Sequence, residues 1–497
     1  MKTGPHNFVA VDLGASNGRV MLGRLHEQRL SLEMIHRFEH CPRQQAGHLR
    51  WDWLLIIASV YEGLARAADS AAHRHIVSLS CDSWAQDFGL LDMEGKLLFS
   101  PISYRDARTA GMPESFADII ATDELVRRVG SVISPLTTLC QLRAMALEGP
   151  ELLDEAATLL HIADLVHYDL CGAKVTDRTM STVSQLRNLA GDQWDRELFE
   201  ALAIPHHFLP QIVEVPAIIG HVPEDQAPHS GLVGVPVVVT AGHDTAVATE
   251  IVSAEEENVA FLSCGTWSML GCVGAELSVV PEAVREQVFL VGLARGRWGL
   301  FYAMMGLWLL EECRRTWAGQ GHEVSLDELA AAMKHSPDEC RAIINPDDER
   351  FVAPEDMVAE ICGSCIETGQ PVPETPADLS HTILTSLALD YRMGIEILEV
   401  ASGRRFEALR IVGGGSANAR LCQLAADVTG LPVTAGPIEA TAVGNILLQA
   451  KVMQLLDERD MAAVAANSFP MEHYEPRRER DEKLYAHFRE LKEGAAT

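Results

Sequence analysis

The sequence predicts an α/β protein of two domains. Three observations carry that expectation. A chain of 497 residues exceeds what one ordinary hydrophobic core serves. A unit of apolar strand, small-residue turn and apolar strand occurs twice, first as FVAVDLG, ASNG and RVMLGRL, and again as NVAFLSC, GT and WSMLG. In each half strands precede helices, the order of an α/β layer arrangement.

The elements follow in chain order. Strands are expected over the opening unit, over Ser31–Phe38 and over Ile76–Asp82, with a helical apolar period from Trp53 to Ser70 between the last two. The stretch 113–202 is mostly helical by periodicity, broken at Pro135, at Gly149-Pro150 and at Gly172. A second strand-rich region begins near Gly234 with VPVVVTAGHDTA and leads into the repeated unit. Helices are expected over Gly306–Thr316, Ser325–His335 and Asp378–Ala401. The strand ALRIV then enters Gly413–Gly415, followed by a helix over Ala417–Thr429, the strand LPVTAG and a helix over Ala440–Leu456. The boundary is placed between Asp244 and the acidic run Glu255–Glu257, which reads as a solvated turn. Domains of 1–250 and 251–497 result.

Composition narrows the function. Apolar residues make up 47 % and charged residues 22 % of the chain, the balance of a folded globular protein. A formal charge of −30 argues against nucleic acid or an anionic membrane as partner, since both select surfaces rich in Lys and Arg. A polyanionic ligand must then be held locally, by backbone N–H groups, a helix N-terminus or a divalent cation. No leader pattern and no long uncharged apolar stretch is seen, so a cytoplasmic protein is expected. Eleven cysteines do not form a disulfide framework. Cys362 and Cys365 make a C-x-x-C pair without the second pair that a zinc site needs.

Four segments have the residue types for chemistry. In Asp12-Leu13-Gly14-Ala15-Ser16-Asn17-Gly18-Arg19, small residues admit a ligand and N–H groups can cradle phosphates, while Asp12 at a strand end suits magnesium held through waters. Asn17-Gly18 is equally a plain hairpin signal. In Thr240-Ala241-Gly242-His243-Asp244-Thr245, a carboxylate lies just past a buried strand, where open sheets place ligands. Asp244 is a candidate proton acceptor and also a candidate N-cap of the following helix. The turns Ser263–Ser268 and Gly413–Ser416 follow strands and admit backbone close to a nucleotide. Trp51 and Trp53 read as packing anchors, as do Met304, Met305 and Trp308 at helical spacing. Arg105 and Arg108 are open between surface ion pairs and a structural role.

The order of these segments, with the duplication, resembles the FGGY family of carbohydrate kinases, and its rhamnulokinase branch in detail. The resemblance runs from about residue 8 to 455. It rests on VAVDLGASNGRVML, DSWAQDFGLLD, YRDART, GHDTA, GTWSMLG, MGLWLLE, INPDDERF, VGGGSANARLCQLAADVTGLPV and GPIEATAVGN. It implies two ribonuclease H-like domains of the actin and hexokinase type flanking a cleft for ATP and sugar. Ala15, Ser16, Asn17, Gly18 and Arg19 would face the ATP phosphates. Thr266, Glu311 and Gly414 would contact the nucleotide, and Asp12 would serve Mg2+. The sugar would meet Ala85, Gln86, His243, Asp244, Thr245 and Ala303, with Asp244 as the base, and L-rhamnulose is the expected substrate. Either a monomer or a homodimer is compatible with this.

Three positions depart from the branch. Ala85 replaces a glycine, Ala303 an asparagine offered to the sugar, and Glu311 a glutamine near the nucleotide. A neutral hydrogen bond is worth about 1 kcal/mol, so the loss at Ala303 does not exclude the sugar. The changes keep a kinase for L-fuculose, a pentulose or a free aldose in view. A non-catalytic sensor or filament protein on the same fold is the rival from another class.

Overall fold

A computed structural model describes residues 4–70, 75–251, 258–274, 280–333, 342–352 and 354–494. The acidic run Glu255–Glu257 and the end of the helix expected to reach His335 lie outside the described residues. The chain divides by its contacts into two compact units that are not contiguous in sequence. The first comprises Met1–Glu255, Val273–Leu300 and Ala440–Phe469, and the second Glu256–Cys272, Phe301–Glu439 and Pro470–Thr497. After residue 255 the chain therefore returns twice to the first unit.

The first unit is built on β1 (His6–Leu13), β2 (Asn17–His26), β3 (Arg29–Glu39), β4 (Ile76–Ser83), β5 (Ala217–His221) and β6 (Pro236–Val239), in the order β5–β6–β4–β1–β2–β3. β1, β2 and β3 are antiparallel neighbours, β4 and β6 run parallel to β1, and β5 is an antiparallel edge. β1 is buried almost end to end, as its run of apolar residues requires of a strand covered on both faces. Helix Trp53–Ser70 buries Trp53, Ile56, Val60, Leu64 and Ala67, a 3–4 spacing that makes one stripe. Asp52 caps it, its Oδ1 accepting from Leu55 N at 3.2 Å.

The second unit repeats the arrangement. β7 (Val259–Cys264), β8 (Trp267–Val273), β9 (Trp298–Met305), β10 (Ala408–Val412), β11 (Val433–Ala435) and β12 (Glu472–Tyr474) are ordered β9–β8–β7–β10–β11–β12, and a seventh strand, Phe289–Gly292, lies beyond β9. β8 is antiparallel to β7, β10 and β11 run parallel to it, and β12 is the antiparallel edge. Helix Pro376–Ser402 has a Thr375/Asp378 capping box and Pro at its first turn. The C-terminal helix Glu482–Gly494 packs Tyr485 and Phe488 against Ile343 and Leu389. Its Lys492 ammonium lies 2.5 Å from Asp347 Oδ2 and 2.8 Å from Asp390 Oδ2.

Two expectations are corrected. The stretch 113–202 is mostly helical but includes the strands Thr158–His161 and Val175–Asp177. The four residues TLLH pair with Phe88–Leu91, and an apolar run that short carries no period to distinguish strand from helix. Met304 and Met305 are buried as expected, but in strand β9, and only Trp308 starts the helix. Trp51 and Trp53 are core residues, 2 % and 6 % exposed.

Candidate active site

Parallel strands end on one edge of a sheet, so β1, β4 and β6 deliver their C-terminal residues to one region of the first unit. Asp12 near the end of β1 is the register partner of Asp82 near the end of β4. Past β6, Ser83 N donates to Gly242 O at 2.8 Å, and Trp84 N donates to Leu13 O at 2.9 Å. These bonds hold the three strand ends together. Asp177 secures the third: it caps helix Arg178–Val183 and also accepts from Gly242 N at 2.9 Å.

Asp244 is the first residue of helix Asp244–Ala248, and His243, not Asp244, holds the N-cap position. The Asp244 carboxylate accepts from Thr245 N at 2.5 Å and Thr245 Oγ1 at 3.2 Å, and 31 % of its side chain is exposed. Burial raises its pKa to about 6, against the lowering effect of the Thr245 bonds. His243 is buried, which lowers its pKa to about 4 and leaves the ring neutral near pH 7. Its Nε2 lies 3.4 Å from Asp244 Oδ1.

Asp12 faces Arg19, with 3.9 Å between Oδ2 and Nη1, and Arg19 Nε also donates to Asn17 Oδ1 at 3.2 Å. Ala15, Ser16 and Asn17 form the turn after β1, closed by Gly14 N to Asn17 O at 3.0 Å, with Ser16 exposed. Gly18 is buried in β2, and a Cβ there would stand 2.2 Å from the Phe38 ring. Its small size thus serves packing. Asp82 is fully buried; burial, then the neighbouring Asp12 and Asp244, push its pKa well above the carboxylate range, while Asn445 and Arg19 act the other way. Asp82 Oδ1 has no hydrogen-bond partner among the described residues. Oxygen donors beside an orphaned carboxylate oxygen fit a hard divalent cation such as magnesium. Among the described residues no group of three or more metal-ligating side chains is assembled, so such a cation would complete its shell with water and phosphate oxygens.

The segment Trp84–Asp87 follows β4. Ala85 is partly buried against the core. Gln86 has φ +80, and its side-chain amide is engaged, Nε2 donating to Val183 O at 3.1 Å and Oε1 accepting from Thr138 N at 3.1 Å. Asp87 is buried and accepts from Trp51 Nε1 at 2.6 Å and Trp84 Nε1 at 2.9 Å; burial still raises its pKa to about 7. Arg108 Nη2 donates to Gln141 Oε1 at 2.6 Å, and Arg105 lies over the Tyr104 ring. His40, buried against Trp51 and Trp84, has its pKa lowered to about 4 by desolvation.

In the second unit, β7 and β10 run side by side and end together. Thr266 lies in the turn after β7, its carbonyl accepting from Gly306 N at 3.1 Å. At Gly306 a Cβ would stand 2.5 Å from Gly265 O and 2.7 Å from Thr266 O. Gly413 has φ +78, a backbone that favours glycine, and a Cβ there would meet Cys264 O at 2.9 Å. Gly414 is exposed and meets nothing within 4 Å. Thr266 and Gly414 thus follow neighbouring strands. Ala303 is exposed on β9, and Glu311 is paired with Arg314 at 2.6 Å. Cys362 and Cys365 both carry free thiols.

The positions of Asp82, Asp87, His40 and Asn445 were not foreseen as parts of the site. For Asp82 a signal existed, a carboxylate near the end of an apolar strand like Asp12, but its register beside Asp12 is a tertiary fact.

Residues 7–249 match the N-terminal domain, and residues 260–453 the C-terminal domain, of the FGGY family of carbohydrate kinases. The chain belongs to this family and is an ATP-dependent sugar kinase. Among curated relatives, a rhamnulokinase of Bacteroides thetaiotaomicron is 36 % identical over 473 residues, covering 95 % of this chain and 96 % of the relative. A rhamnulokinase of Yersinia pestis is 35 % identical over 474 residues, covering 94 % and 95 %. Among solved structures, gluconate kinase from Lactobacillus acidophilus superposes with a TM-score of 0.78 at 15 % identity, covering 99 % of this chain and 97 % of that one. Plasmodium falciparum glycerol kinase with ADP gives 0.78 at 15 %, covering 99 % and 98 %. These likenesses show the actin and hexokinase-like fold. Among the described residues no helix is long and apolar enough to cross a membrane.

Proposed function

We propose that the enzyme phosphorylates the C1 hydroxyl of L-rhamnulose, with Asp244 as the base. The observation that carries the substrate is the 36 % identity to a rhamnulokinase across nearly the whole of both chains. The base rests on geometry: a carboxylate at the end of β6, partly accessible, with a pKa near 6, is ionised at neutral pH yet basic enough to take a proton.

Asp244 accepts the hydroxyl proton as the sugar oxygen bonds to the γ-phosphorus, and the bond from that phosphorus to the β,γ-bridging oxygen breaks to release ADP. Of the segment Ala15–Arg19, the turn N–H groups and the Asn17 and Arg19 side chains face the phosphate oxygens while Gly18 lies within β2, and Thr266, Glu311 and Gly414 contact the nucleotide. Because Glu311 is already paired with Arg314, it brings no uncompensated charge to the nucleotide. Mg2+, held toward Asp12 through waters, would neutralise charge on the phosphates. Ala85, Gln86, His243, Thr245 and Ala303 surround the sugar; neutral His243 does not compete with Asp244 for the proton.

Ala85 and Ala303 support a second reading, a kinase for another sugar, because the methyl of Ala85 narrows the pocket relative to glycine and Ala303 offers no hydrogen bond. A coupled ADP-release assay with L-rhamnulose, L-fuculose, L-ribulose, L-xylulose and free L-rhamnose separates the two. The highest kcat/KM is expected for L-rhamnulose; a different best sugar makes Ala85 and Ala303 specificity changes and overturns the assignment.

A further inference from the structure

A buried polar chain runs from the core of the first unit to the carboxylates. Ser78, Asn445, Gln449 and Asp82 are all 0 % exposed. Gln449 Nε2 donates to Val9 O at 3.0 Å and to Asn445 Oδ1 at 2.7 Å, while Ser78 Oγ donates to Gln449 Oε1 at 2.7 Å. Asn445 Nδ2 then donates to Asp82 Oδ2 at 2.6 Å. The direction of this chain is forced. A backbone carbonyl only accepts, so Gln449 must turn its NH2 toward Val9; Asn445 must therefore present its oxygen to Gln449 and its NH2 to Asp82.

The consequence falls on Asp82. Its Oδ2 is kept as an acceptor, and the chain delivers no proton to it, because its links are carboxamide NH2 groups that donate a hydrogen bond without releasing the proton. Its Oδ1 is buried, has no partner among the described residues, and belongs to a carboxylate whose register partner is Asp12. An unpaired buried carboxylate oxygen is destabilising unless a cation or a proton meets it. Asn445 ends the segment GPIEATAVGN, so a residue far along the chain sets the orientation of a carboxylate on β4.

We propose that Asp82 is a second carboxylate toward the divalent cation that accompanies the ATP phosphates, with Asn445 as its positioning residue. The proposal rests on the assignment of that cation to Asp12 and adds Oδ1 of Asp82 to it, directly or through one water. Two carboxylates completed by phosphate oxygens and waters is a habitual magnesium shell. Asp82→Asn would turn the oxygen of the new amide to Asn445 and its NH2 group to the cation, removing the ligand at nearly constant volume.

The test uses Mn2+ as the probe, read by electron paramagnetic resonance in the presence of ADP, with full-length protein. Asp82→Asn, Asp12→Asn and Asn445→Ala are each expected to weaken Mn2+ by at least about tenfold, the low end of the range for losing a group that orients a metal ligand. Metal-free ADP affinity should stay within twofold in all three. If Asp12→Asn weakens Mn2+ and Asp82→Asn does not, this proposal fails while the cation stays with Asp12. If neither does, the assignment to Asp12 fails first. Should Asp82→Asn not fold, the anomalous scattering of Mn2+ in wild-type crystals grown with ADP decides: a peak beyond one-water reach of Asp82 Oδ1 overturns the proposal.

Discussion

The two sheets share the order of six strands and differ in what their strand ends carry. In the first, the ends of β1, β4 and β6 lead to Asp12, Asp82 and Asp244. In the second, the ends of β7 and β10 lead to Gly265, Thr266 and Gly413–Gly415, with Gly306 packed beneath. The first arrangement works through charge and the second through the space that absent side chains leave. The second unit also buries charge, but there Lys492 lies between Asp347 and Asp390, so the two carboxylates share a cation supplied by the fold. A repeated scaffold therefore does not present the same side chains twice, and a fold does not by itself fix the chemistry of the residues at its strand ends.

The contrast can be broken most forcefully at Asp244. Asp244→Asn is expected to lower kcat by at least about a hundredfold, the low end for losing a general base, with little change in ADP affinity measured by calorimetry. The complementary substitution in the second unit is Gly306→Ala. Its Cβ would press on the Gly265 and Thr266 carbonyls, and overpacking against backbone costs about 1–3 kcal/mol. A raised KM for ATP with an unchanged KM for the sugar would support a steric site there; the opposite pattern would not.

The charge of the first unit should also show in pH. With the Asp244 pKa near 6, kcat should fall on acidification, by about tenfold at pH 5, as the base becomes protonated. The stability effect has the opposite sign. A carboxyl whose folded pKa exceeds its ordinary 3.8 binds its proton more tightly in the fold, so stability is gained as pH falls from about 6 toward 3.8. At pH 7 Asp244→Asn should therefore have a higher Tm than wild type, and the gap should close as the pH is lowered through 6. Equal Tm values at pH 7 would mean that the carboxylate is not strained by its burial. The smallest expected effect is at Ala303→Asn, where a restored polar group should raise kcat/KM for L-rhamnulose by less than about tenfold.

Much of this was legible before the fold was known. Apolar runs ending in DLG, GHD and VGGG announce strands that stop at small or acidic residues, and alternation with helical periods announces an α/β layer. Asp12, Asp244, Thr266 and Gly414 all stand at such ends because strand exits are a local property of the chain. Short apolar runs such as TLLH and FYAMM lacked enough turns of any period to show their class, and partner strands decided them.

The sequence by itself determined where the two strand-turn-strand units lie, that this pattern occurs twice, and which residues follow their strands. Tertiary structure alone decided which ends stand side by side. Asp82 became a neighbour of Asp12 through the parallel pairing of β4 with β1, and Asn445 became its partner through the return of helix Ala440–Val452 to the first unit. Both are contacts between residues far apart in the chain, set by register and packing, and local propensity carries no information about either.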